Sequence, residues 1–372
     1  MKDNMFVFDA HTGFWDASPE NTKNKYGEAF VETFYAFQTG FNPTGEPQWT
    51  MDYEKEFRKV DPDWYLDHMF VTGDSDMAIL STQVLMDFYH TGFTHPDRNA
   101  EMVKRAPQRL IGLGAVDPRT PGAVEEIERQ VTDLGMRGFK WYTAEWRGES
   151  RGWSANDPAV FPLYEKCIEL GITNMHFHKG PAVEPLALEK FDVRDIDEPS
   201  TLYPELNFIV DHCGLPRLDD FCWMSARSPN IYGSLAVANM FLGNRPREFA
   251  KIMANLLFWL GPDRIIWGTD FPIWYPHWLL DRFMAFELPE DIKEEYGVDL
   301  TQETKQKIVG ENIARLYDID IEAKLAEIEN DEFAQAKRQR KESGAPSASA
   351  ARPTEAASAP AEETGVTGGV SA

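Results

Sequence analysis

Residues 172–180 read ITNMHFHKG, an apolar run that closes on His176, Phe177, His178, Lys179 and a glycine. As a strand it alternates its side chains between two faces, so His176 and His178 share one. Two imidazoles on one face at a strand end form a donor pair suited to a divalent metal. The pattern recurs downstream. FIVDHCG (208–214) places His212 just past an apolar run, and RIIWGTDFP (264–272) places Asp270 just past another. Near the N-terminus the run Met5–Phe8 leads into Asp9, Ala10, His11, Thr12 and Gly13. A buried strand ending in a ligand-type side chain and a turn is the recurring unit.

Between these strands the apolar period becomes helical. Helices are expected over 62–70, 97–106, 121–134, 158–170, 218–226, 247–260, 276–286 and 301–317. Strands are expected over 77–80, 110–116, 136–141, 207–210 and 231–235, besides those already quoted. The Pro121–Leu134 segment carries Ala123, Val124, Ile127, Val131 and Leu134 on one face. Gly171 and Gly261 stop two of the helices. Eight strand-like runs separated by helices predict an α/β fold, a closed (β/α)₈ TIM barrel. A doubly wound open sheet announces itself by a glycine-rich phosphate loop after its first strand, and DAHTGFW offers none.

The barrel is expected to occupy residues 1–318, interrupted after its first strand by an aromatic-rich insertion over 14–61, a candidate lid or subunit contact. Within that insertion Ala29–Phe37 has helical character. A charged C-terminal helix over 319–341 and a disordered tail over 342–372 should follow, the tail being rich in Ala, Ser, Pro, Gly and Thr.

The chain has 372 residues, and its net charge of −24 argues against nucleic acid as a partner. The three cysteines, Cys167, Cys213 and Cys222, form neither a disulfide framework nor a CxxC motif. No apolar stretch approaches the roughly 18 residues of a membrane span. The N-terminus lacks an apolar signal core, and a cytoplasmic location is expected.

Active sites of (β/α)₈ barrels form where the strands end. Asp9 and His11, Lys140, His176 and His178, His212 and Asp270 would therefore meet at one rim. Lys140 is a candidate for pairing with a substrate carboxylate, and Trp15, Trp141 and Trp274 for walling a small substrate. His68, His90, His95 and His277 read as ordinary core histidines.

FDAHTG, HFHKG, VDHCG, GTDFP and the closing GENIARLYDI resemble the amidohydrolase-related proteins of the aminocarboxymuconate-semialdehyde decarboxylase type, over about residues 5–318. The resemblance implies a barrel holding one divalent metal ion (Zn or Mn), active as a non-oxidative decarboxylase or a hydrolase on a small carboxylated or cyclic compound. It implies metal ligands at Asp9 or His11, at His178 and at Asp270, a catalytic role for His212 and Asp270, and a homodimer. The HxG pattern after strand 5 falls on His178, Lys179 and Gly180, and selects His178 over His176. One departure stands out. The family's first-strand motif is DxHxH, and its second His position is Gly13 here. Either Asp9 and His11 serve together as ligands, or one ligand is lost. A barrel with an impaired metal site, acting as an accessory or assembly partner of another protein, is the alternative function.

Overall fold

The computed structural model describes residues 5–42 and 46–343. The tail expected over 342–372 therefore lies, from residue 344, outside the described residues. Eight short strands run β1 (Phe8–Thr12), β2 (Met77–Leu80), β3 (Leu110–Gly112), β4 (Phe139–Trp141), β5 (Asn174–His178), β6 (Asn207–Asp211), β7 (Ile231–Ser234) and β8 (Ile265–Ile266). All their pairings are parallel, in the orders β1-β2-β3 and β4-β5-β6-β7-β8. Two seams join these sheets. Gly114 N–H donates to the Gly138 carbonyl at 2.9 Å and its own carbonyl accepts from Lys140 N–H at 2.8 Å, linking β3 to β4. Ala10 N–H donates to the Trp267 carbonyl at 3.1 Å, linking β8 back to β1. The sheet thus closes into a TIM barrel, as the alternation predicts.

The interior of the barrel is an apolar cluster that includes Phe8, Ala10, Met77, Ile79, Ile111, Leu113, Ile209 and Ile266. Ile313, Ala314 and Tyr317 belong to it as well. Ile313 and Ala314 come from Asn312–Leu316, the last turn of the helical segment expected over 301–317, and Tyr317 caps it. Asn312 fixes that segment by donating from its side-chain amide to the carbonyls of Pro262 and Ile265, both at 2.8 Å.

Three expectations need correction. The first strand is not Met5–Phe8 but Phe8–Thr12, so Asp9 and His11 lie within it. It also carries an irregularity. Phe8 and Asp9 pair with Met77 and Ala78, but Thr12 pairs with Leu80, one residue more on β1 than on β2. Such a bulge reverses the alternation of faces. Phe8 and Ala10 point inward with Met77 and Ile79, and Asp9 between them points away. Past the extra residue, His11 turns back toward the interior. Second, the segment expected as one helix over 319–341 is two, Ile321–Ile328 and Glu332–Glu342. Asp331 caps the second, accepting from Ala334 N–H at 2.8 Å. Third, the insertion is more regular than its sequence suggests. It holds a helix, α1 (Lys25–Phe41), capped by the Asn24 side chain. Phe30 and Phe34 of α1 are buried against Phe93.

Candidate active site

The C-terminal ends of β1, β6 and the loop after β8 bring three donors together. One ligand atom each from His11, His212 and Asp270 lies within 4.8 Å of the other two. His11 and His212 are buried, and Asp270 retains 13% side-chain exposure, so the site opens to the rim through that carboxylate. Two of these residues sit in strained backbone. His212 has φ 69° and Asp270 φ 60°, a left-handed conformation uncommon for residues other than glycine. Close approach is also built in at Gly180, where an added Cβ would lie 2.6 Å from the His212 Cβ. That is the physical content of the HxG pattern.

Each imidazole is oriented by its second nitrogen. His212 Nδ1 lies 3.1 Å from the Ala236 carbonyl, which can only accept, so Nδ1 carries the proton and Nε2 holds the lone pair. His178 Nδ1, 3.0 Å from that Nε2, is then the donor, and His178 Nε2 keeps a lone pair of its own. Its neighbour there is the Pro181 carbonyl at 3.5 Å, too distant for a firm bond. His11 Nδ1 stands 3.2 Å from Asp211 Oδ1, and its Nε2 stands 3.3 Å from Asp270 Oδ1. His212, which gives one nitrogen to a backbone carbonyl and turns the other inward, has the arrangement of a metal ligand.

Protonation states follow from burial and neighbours. Burial pushes His212 down to about 4, against the pull of Asp270. Burial, then the neighbouring His212, hold His178 well below the usual histidine range. Both rings are neutral, as metal ligation requires. Burial alone would lower His11 too, but Asp211 and Asp270 outweigh it and raise His11 to about 9. Burial works to raise Asp270, yet His11 and His212 keep its carboxyl below the usual range, so it is ionised. A cation held by His11 would displace the proton of that ring.

Beneath the rim lies a residue that the sequence reading passed over. Asp211, fully buried, pairs through Oδ2 with Lys140 and presents Oδ1 to His11 at 3.2 Å and to His176 at 3.7 Å. Lys140, then His11 and His176, overcome the cost of burial and hold Asp211 well below the ordinary carboxylate range. His176 in turn meets the Tyr317 hydroxyl at 3.0 Å. The signal was present in VDHCG, one residue before His212, at the inward-facing end of β6.

Several expected site residues lie elsewhere. Asp9 is not gathered with the other donors. Its oxygens accept from Thr269 Oγ1 at 2.5 Å, Thr269 N–H at 3.1 Å and His11 N–H at 3.1 Å, on the outer side of the bulge. Trp15 packs against Phe34 and Phe93 and donates to the Phe57 carbonyl. It also fills the space at Gly13, where a Cβ would meet the Trp15 ring at 3.0 Å. Trp141 faces outward on β4 and packs on Trp153, Tyr164 and Phe177, because the inward position belongs to Lys140. Lys140 is committed to Asp211 rather than free for a substrate carboxylate. Trp274 does line the narrow pocket over Asp270 and His178, together with Phe34 and Phe37 of α1.

A protein-family model described as amidohydrolase matches residues 8–319. The 2-amino-3-carboxymuconate-6-semialdehyde decarboxylase of Dictyostelium discoideum is 28% identical over 293 residues, covering 66% of this chain and 74% of that protein. Among solved structures, a TIM-barrel protein of Bordetella bronchiseptica superposes with a TM-score of 0.62 at 18% identity, over 84% of this chain and 99% of that one. The 5-carboxyvanillate decarboxylase of Novosphingobium aromaticivorans, complexed with manganese and 4-hydroxy-3-methoxy-5-nitrobenzoic acid, superposes with a TM-score of 0.54 at 17% identity, over 86% and 97%.

Proposed function

The chain belongs to the amidohydrolase family, and from that footing we propose that it is a metal-dependent, non-oxidative decarboxylase of a small carboxylated compound. One observation carries the reading: the His11 and His212 nitrogens converge with the Asp270 carboxylate at the barrel mouth. The ion, manganese or zinc, would be held by His11, Asp270 and the His178–His212 pair. This departs from a ligand set containing Asp9, whose oxygens are already engaged.

Bound there, a divalent cation supplies Lewis-acid polarisation of the substrate's carboxylate or an adjacent oxygen. The remaining work falls to the chain. Loss of CO₂ leaves a carbon that must receive a proton; Asp270, ionised and the one donor open to the rim, would take that proton from solvent and pass it on, with neutral His212 beside it. Asp211 keeps His11 oriented, and the Ala236 carbonyl does so for His212. Phe34 and Phe37 close over the pocket and exclude water from it. The insertion thus acts as a lid. Hydrolysis would draw on the same groups, and the decarboxylase from Dictyostelium favours decarboxylation.

The test is metal analysis of the purified chain before and after reconstitution, paired with a CO₂-release screen over aromatic and unsaturated acids. Near-stoichiometric manganese or zinc is expected. Asp270→Asn should lose the metal and lower CO₂ release by at least about a hundredfold. A reconstituted protein that takes up no metal overturns the reading and leaves the accessory-barrel alternative in its place.

A further inference from the structure

Beside the donors, toward the ends of β2 to β4, lies a second cavity of about 260 Å³. It adjoins the site without sharing a lining residue with the pocket over Asp270. Lys140 and Tyr142 line it, and the Tyr142 ring packs on that of His178 with centroids 4.8 Å apart. An apolar cavity of ~150 Å³ holds benzene, so a substituted ring has room. The walls, however, are not merely apolar. Tyr142 and Trp153 line the cavity at only 3% and 5% exposure, and neither the Tyr142 hydroxyl nor the Trp153 indole N–H has a partner among the described residues. The indole N–H of the half-buried Trp146, also in the wall, is unpartnered as well. Buried donors without acceptors are costly, and a ligand oxygen would relieve them.

The same wall carries carboxyls. Asp87, Asp117, Glu126 and Glu145 line it and outnumber the two cations there, Lys140, paired with Asp211, and Arg147, which donates to Thr120 Oγ1. Arg119 binds Asp117 at 2.6 Å, and burial followed by the Asp117 charge pushes Glu145 up to about 8. A ligand carboxylate set here would add negative charge where one carboxyl already resists ionisation. A hydroxyl group meets both demands, since it accepts from an indole or phenol and donates to a carboxyl oxygen.

We propose that this cavity receives the non-reacting end of the substrate, and that it selects an uncharged hydroxylated end, phenol or alcohol, over a second carboxylate. The proposal rests on the decarboxylase reading, since it takes the reacting carboxylate to lie at His11 and Asp270. Three probes separate the two: salicylate, 2,4-dihydroxybenzoate and 2-hydroxyterephthalate, which differ only at the ring position opposite the carboxylate. Their binding to the manganese-reconstituted full chain is measured by calorimetry. The dihydroxy compound should bind about tenfold more tightly than the terephthalate, a difference of about 1.4 kcal/mol. Trp153→Phe and, separately, Glu145→Gln should shrink the preference for dihydroxybenzoate over salicylate to under about twofold. Equal or tighter binding of the terephthalate, or a preference unchanged in both variants, overturns the proposal alone. Binding of none of the three by metal-loaded protein overturns the functional reading, and this proposal with it.

Discussion

Replacing Asp211 by asparagine would leave Lys140 charged and buried without its carboxylate. Breaking a buried pair from one side costs about 3–5 kcal/mol, whereas replacing both partners by apolar residues of similar volume is often neutral. Asp211→Asn should therefore lower the denaturant midpoint sharply, and the double variant Lys140→Met/Asp211→Leu should recover most of that loss. Metal uptake should stay impaired in both, because His11 loses the carboxylate that orients it. Glu145 offers a second test, through pH. Its pKa is raised from 4.5 to about 8 by burial and then by Asp117. The folded state thus binds this proton more tightly than the unfolded one. The stabilisation it brings is complete below the unfolded value and is lost as pH rises toward the folded value. Glu145→Gln should match the parent in thermal midpoint near about pH 5 and exceed it near about pH 8.5. A gap that widens toward acid pH would contradict this. That His11, His212 and Asp270 meet at one rim was legible in the sequence, because each closes or follows an apolar strand. Asp211 was not, since a carboxylate inside a strand end draws notice only once Lys140 and His11 are seen to meet it.

At the level of elements, the bulge in β1 decides which of two neighbouring donors reaches the interior. Strand alternation treats Asp9 and His11 as equivalents, and no feature of FDAHTG announces the extra residue. The register against β2 reveals it. The same limit explains Trp141: its face follows from Lys140 taking the inward position, which depends on where β4 begins. The proposed lid is α1. Phe34 is 5% exposed, and Phe34→Ala should destabilise by about 3–5 kcal/mol through the void it leaves. Phe37 is only half-buried. Phe37→Ala should cost less stability and act mainly by raising KM, since it opens the pocket over Asp270. Steady-state kinetics beside a denaturant titration separates the two effects.

Across the whole molecule, the barrel topology was readable because the helix–strand period repeats over the entire domain. How the C-terminal helices attach was not, because their contacts are long-range. Arg109, buried, donates from Nη2 to Asp331 Oδ1 at 2.9 Å and reaches the Ile328 carbonyl. Lys337 pairs with Asp74 at 2.9 Å, and Phe333 packs on Phe70. Ending the chain at residue 318 would expose Phe70 and unpair Arg109. Uncovering one such aromatic costs about 1.5–3 kcal/mol. The truncated protein should melt at a lower temperature yet bind metal as before, a combination that calorimetry and metal analysis would detect. An equal melting temperature would show these helices to be thermodynamically idle. Among the described residues no helix is long and apolar enough to cross a membrane.

The seam between β8 and β1 bears on how the protein comes into being. Ala10 and Trp267 are hydrogen-bonded across almost the full length of the domain, and His11 and Asp270 face each other over the same separation. A chain emerging from the ribosome presents its first donor long before its last. Tyr317, which meets His176 from the far end, arrives later still. Until then β1 is an edge without its neighbour, and Asp211 lacks part of its surroundings. Contacts this distant in sequence slow folding and lengthen the life of aggregation-prone intermediates. On the proposed ligand set, the strand that leads to Asp270 therefore has to be made before His11 and His212 can share an ion.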